Sequence, residues 1–200
     1  MNGIIKVIPL VCLALLAAGC AVRPLADPDV TLKEPGQVLA VRQALRHGDW
    51  LVARGVHAAD NLVASVTNMP LSHAAIFDAE SEGVIEADGS GVHTTPLADF
   101  LANSQRVLVI RPIWSSPGNS RAAVERARSW LGKGYNFTGL VGLDIPERYY
   151  CTQVALFAYK PFITEKPDNP IPRIIKPGQM YHWGRIMYDS GPTDAEPHEE

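Results

Sequence analysis

The chain is predicted to be α+β, an antiparallel sheet or partial barrel packed against helices, and three observations carry that prediction. Short runs of β-prone residues recur between Trp50 and Arg111, separated by turn-forming clusters. Helix-compatible stretches are mixed with those runs and group against the sheet they form. The composition, 46% hydrophobic with a net charge of −3, suits one buried core.

The elements follow in order. Gln37 to Leu45 is a short helical candidate, and His47-Gly48-Asp49 turns the chain into a strand at Trp50 to Ala53. Ala58 to Thr67 is amphipathic enough for a helix. Ser72 to Asp78, Gly83 to Ala87, Gly91 to Thr95 and Arg106 to Arg111 read as strands, with turns at Glu80 to Gly83 and Asp88-Gly89-Ser90-Gly91. Pro117 opens a helix running to about Leu131, stopped by Gly132 and Gly134. Tyr150 to Tyr159 is a further helix, ended by Pro161, and its apolar residues mark it as largely buried.

The termini point to export. Lys6 followed by the apolar run Val7 to Leu16 has the layout of a secretory signal, too short to span a bilayer stably. Leu16-Ala17-Ala18-Gly19-Cys20 resembles a lipoprotein processing site, which implies removal of residues 1–19 and acylation of Cys20. Ala21 after that cysteine fits retention at an outer membrane, facing the periplasm of a bacterial cell envelope. Residues 20–36, rich in Pro and Asp, are expected to form a tether, 37–190 the domain, and the acidic 191–200 a disordered tail. About 180 residues then make one compact domain. The scattered Lys and Arg form no basic stripe, so nucleic acid is not an expected partner.

Of three cysteines, Cys12 falls in the signal and Cys20 at the processing site, which isolates Cys151 as an unpaired thiol. It lies at the first turn of the helix that starts near Tyr150, where backbone N–H groups and the helix dipole favour a nucleophilic thiolate. A buried cysteine acting as a small hydrophobe fits the same position, and both readings stay open on position alone. Thr152 and Gln153 beside it are unlike an inert core run. A thiol nucleophile needs a base, and six histidines compete. His198 lies in the tail, His47 in a turn and His57 at a helix start. His182 belongs to an aromatic cluster, and His93 sits in a strand that can face solvent. His73 begins an otherwise apolar strand, and the expected hairpin brings Glu86 close to it, with Asp88 and Asp78 as alternatives nearer the turns.

Gly48-Asp49-Trp50-Leu51, Ser72-His73-Ala74-Ala75-Ile76-Phe77, Val84-Ile85-Glu86-Ala87 with Gly91-Val92, Gly134-Tyr135-Asn136-Phe137 and Tyr150-Cys151-Thr152-Gln153 resemble, in that order, the circularly permuted NlpC/P60 papain-like family of YaeF/YiiX-type lipoproteins. The resemblance spans Gly48 to Tyr188. It implies a permuted papain-like fold and a cysteine hydrolase of amidase or peptidase type, with Cys151 as nucleophile, His73 as base and Glu86 as third member. It also implies that Tyr135 lines the site or helps polarise the carbonyl. Relatives often carry Ser-Glu where this chain has Thr152-Gln153. Ser72 is a further candidate for substrate or oxyanion contact. No cofactor or metal is expected, since no ligand cluster stands at a recognised spacing. The substrates open to such an enzyme are a cell-wall peptide or a lipid-like acyl compound. Ala58 to Met69, Ile171 to Ile175 and Met180 to Met187 are candidates for an acyl pocket or for plain core.

Overall fold

The computed structural model describes residues 26–163 and 170–191. The signal segment 1–19, Cys20 and tail residues 192–200 lie outside the described residues. Helix α1 (Pro35–Ala44) leads into β1 (Trp50–Gly55), α2 (Ala58–Thr67) and the meander β2 (His73–Asp78), β3 (Gly83–Asp88) and β4 (Gly91–Pro96). Next come α3 (Leu97–Ala102), β5 (Ser104–Pro112) and α4 (Pro117–Arg128). A parallel pair, β6 (Gly134–Tyr135) and β7 (Arg148–Tyr149), flanks a 3-10 turn at Phe137–Val141. Helix α5 (Cys151–Ala158), a 3-10 segment at Pro177–Trp183 and β8 (Gly184–Asp189) complete the described chain.

The main sheet has six strands in the order β4-β3-β2-β1-β5-β8, every neighbouring pair antiparallel. Both faces are covered, which is why β1, Trp-Leu-Val-Ala-Arg-Gly, is buried along its whole length rather than alternating. Trp50, Val52, Ala74, Ile76, Ile85 and Ile110 face a core shared with Ala123, Val124 and Ala127 of α4 and Val154, Ala155 and Leu156 of α5. Leu51, Ala53, Ala75, Phe77, Val84 and Val109 face the other core, closed by Val41 of α1 and Leu97, Phe100 and Leu101 of α3. The successive residues of each strand therefore serve opposite layers, as the two-residue repeat of a strand requires.

The expected tether departs from the structure over its second half. Leu32 is buried in the second core and its N–H donates to the Ser104 carbonyl (2.9 Å), while helix α1 already starts at Pro35. Proline at the first helical position loses no intrahelical bond, so it opens the helix two residues before the expected start. The expected helix to Leu131 stops at Arg128, and the chain closes through Ser129 to Gly132, the last with φ +80°. Ile175, Met180 and Trp183 are buried core, and neither C-terminal segment contributes to the cavity described below.

Candidate active site

Helix α5 is held at both ends before it offers anything to a ligand. The Trp50 indole N–H donates to the Ala155 carbonyl (2.9 Å), and the Tyr159 hydroxyl donates to the Gly48 carbonyl (3.0 Å), tying the helix to β1 and its preceding turn. At the N-terminus, Gln153 accepts from the Tyr150 N–H with its side-chain oxygen (3.1 Å) and donates to Asp144 (2.9 Å). The Thr152 hydroxyl donates to the Ile175 carbonyl (2.7 Å), and the Tyr150 hydroxyl accepts from the Ile175 N–H (3.1 Å). Thr152 and Gln153 are thus spent on fixing the helix start, a structural use rather than a contact with substrate. Cys151, the first residue of α5, is a free buried thiol at the edge of a cavity of about 470 Å3.

That cavity opens where β1 ends and β2 begins. His73 and Glu86 enter it from the sheet, Asp60, Leu62 and Val63 from α2, Phe100 from α3, and Tyr135 and Phe137 from the β6 segment. His73 is hydrogen-bonded to Glu86 and lines the same cavity as the Cys151 thiol, which lies near enough to act on the imidazole. Its Nε2 lies 2.5 Å from Glu86 Oε2. The hairpin register explains the partner. Ala75 stands opposite Glu86, so Glu86 is the diagonal neighbour of His73 across the strand pair. Asp88 instead caps its own turn by accepting from the Ser90 N–H (2.8 Å), and Asp78 pairs with Arg128 at the far end of β2. Of the three carboxylates considered for the imidazole, Glu86 is the one in contact.

The electrostatics follow from that geometry. Burial opposes charge on His73, but Cys151 and Glu86 outweigh it and hold the imidazole pKa well above the ordinary 6.5. Burial likewise opposes charge on Glu86. The His73 contact, the Thr95 hydroxyl donating to Oε1 and the nearby His93 reverse that and place its carboxyl below the usual value. Tyr135 is pushed up, first by burial and then by the negative character of Cys151, Asp60 and Asp88, so its phenol remains a proton donor.

Two residues of the cavity wall, Ser72 and His93, have partners that the fold assigns. Ser72 lines the cavity, yet its hydroxyl donates to Asp60 Oδ1 (2.9 Å) and accepts from the Gly55 N–H (3.0 Å), so it has no proton left for an oxyanion. Its role is to fix the α2 start, where Asp60 also accepts from the His57 N–H (3.2 Å). His93, expected in a strand that can face solvent, lies directly opposite Glu86 in β4, with Nε2 3.6 Å from Glu86 Oε1 and the ring on the cavity wall. Asp60 was not singled out from the sequence and His93 was weighed there only as one of six histidines, because burial and strand register, not residue type, bring them to the site. Of the other described histidines, His57 precedes α2 and also lines the cavity, whereas His47 accepts from the Ala79 N–H and His182 packs on Tyr181. Among the described residues no group of three or more His, Cys, Asp or Glu is arranged to hold a metal ion, and no helix is long and apolar enough to cross a membrane.

The family model for the permuted papain-like amidase enzymes, YaeF/YiiX, C92 family, matches residues 45–171, a span that contains His73, Glu86, Tyr135 and Cys151. Among solved structures, the crystal structure of the metalloprotein yiiX from Escherichia coli O157:H7 is similar, with 22% identity and a TM-score of 0.51 over 62% of this chain and 69% of that one. At that identity the likeness concerns the fold. No match is found among curated proteins.

Proposed function

The chain belongs to the permuted papain-like amidases, a family of cysteine hydrolases of amidase type, and from that premise we propose a thiol hydrolase whose Cys151, His73 and Glu86 cleave an amide bond of a cell-envelope peptide or a lipid-like amide. The observation that carries this reading is that Cys151, His73 and Glu86 share the wall of one ligand-sized cavity, with the imidazole hydrogen-bonded to Glu86.

In the proposed cycle His73 takes the Cys151 proton, and the resulting imidazolium is stabilised by the Glu86 carboxylate. The thiolate sulfur attacks the carbonyl carbon, and the C=O electron pair moves onto oxygen. Backbone N–H groups at the start of α5, including that of Cys151, and the Tyr135 phenol are the donors for that oxyanion. Collapse of the intermediate breaks the C–N bond as His73 gives its proton to the leaving amine. Water then loses a proton to His73 and attacks the thioester, releasing the acid and regenerating the thiol.

The second reading, an acyl hydrolase or acyltransferase on lipids, is favoured by the apolar side chains of Leu62, Val63, Phe100 and Phe137 in the cavity wall. A silent ligand-binding lipoprotein is the reading that both exclude. The proposed setting is the periplasmic side of the outer membrane, with Cys20 as the lipid attachment. Incubating muropeptides and envelope lipid extracts with the protein and with Cys151→Ala, followed by mass spectrometry, decides between them. A Cys151-dependent product from peptide supports the first reading, one from lipid the second, and none the silent one.

A further inference from the structure

The outward face of α2 carries no charge. Its exposed residues are Ala58, Ala59, Leu62, Ser65 and Val66, and Leu62 and Val66, 61% and 69% exposed, stand one turn apart. A surface helix normally turns a polar face to water. Leu62 also lines the cavity, and so does Phe137, which is 66% exposed. The apolar face is therefore continuous with the cavity mouth.

The chain enters the folded domain at this same helix. The Ala26 N–H donates to the Asn61 side-chain oxygen (2.9 Å), one residue from Leu62. Six residue steps separate Cys20 from Ala26, and at roughly 3.3–3.6 Å per extended residue they reach about 20 Å at most. An acyl anchor on Cys20 would thus hold the α2 face within about 20 Å of the bilayer, less than the length of a small domain. Between Cys20 and Glu34 the sequence carries Arg23 and Lys33 against Asp27, Asp29 and Glu34, and the exposed residues of α2 are uncharged, so attraction to anionic headgroups is not what the surface offers.

We propose that the α2 face, through Leu62 and Val66 together with Phe137, docks on the bilayer surface by apolar insertion and sets the cavity mouth against the membrane. The proposal rests on the Cys20 attachment put forward above for its geometry, but the surface can be tested without it. The mature chain with Cys20→Ala is floated with vesicles of phosphatidylethanolamine and phosphatidylcholine. Partition is expected that high salt leaves unchanged, that falls at least about tenfold in Leu62→Asp/Val66→Asp, and that is unaltered in Ile113→Asp. Ile113 is 60% exposed at the opposite end of β5 from the cavity-lining Ser104, and far-UV circular dichroism verifies that all variants fold. Absence of partition by the parent, equal partition by the α2 variant, or equal loss in Ile113→Asp overturns the proposal. So does dimerisation that the α2 substitutions abolish in a chain that ignores vesicles, which would assign the face to a second copy. Mass spectrometry of the native protein for acyl groups on Cys20 tests the anchor separately, so the two failures are distinguishable.

Discussion

His73 is pulled in two directions, and the direction that wins defines the chemistry open to Cys151. Burial works against its charge, while Cys151 and Glu86 work for it, and the net result is a pKa well above 6.5. A group raised in this way keeps its proton, and the stability it confers, below the unfolded value, and loses both as pH rises through the folded value. The alkaline limb of kcat/KM should therefore lie well above pH 6.5. Glu86→Gln keeps the shape of the side chain and removes the charge, so that limb should move down toward 6.5, with a loss of about 100-fold in kcat/KM at pH 8. Asp88→Asn, which removes a carboxylate not in contact with the ring, should leave the limb nearly in place. Equal shifts in the two variants would remove Glu86 from its proposed role.

At the scale of elements, the site depends on how few residues steer the start of α5 and the β6 segment. Thr152, Gln153 and Tyr150 fix the former. The latter, which carries Tyr135, is fastened to β4 by the Val92 N–H to Lys133 carbonyl bond (2.8 Å) and the Gly132 N–H to Val92 carbonyl bond (2.9 Å). Gly91 makes that junction possible. It holds φ +107°, and a Cβ there would press into the Lys133 carbonyl oxygen, which is backbone and cannot swing away. Gly91→Ala should lower stability by about 2 kcal/mol or more in urea unfolding, whereas Gly89→Ala, with open space at its Cβ position, should cost far less. The sequence made the long elements legible for a physical reason: β1, β2 and α5 are buried on all sides and read as nearly unbroken apolar runs. Helix α3 has six residues, too few to display a period, and β8 is an edge strand with mixed exposure, so neither announced itself.

Over the whole molecule, the sheet positions were readable and the connections between them were not. His73, Glu86 and Cys151 could be nominated because strand and helix starts place their side chains predictably, and the structure sets all three on one cavity wall. What reaches the site through tertiary pairing was not found, as with His93 opposite Glu86 and Asp60 beneath Ser72. The N-terminal segment shows the same limit. Buried Ala26 and Leu32 in a stretch of Pro and Asp give no periodicity, yet they hold this segment against the domain beside α2 and the cavity mouth. The central claim is that one imidazole makes Cys151 a nucleophile, and native-state alkylation by iodoacetamide at pH 6 addresses it most directly. The account predicts fast labelling of Cys151 that slows at least about tenfold in His73→Ala. Slow labelling in the native protein, unchanged by His73→Ala and restored to the ordinary rate only by unfolding, would contradict it.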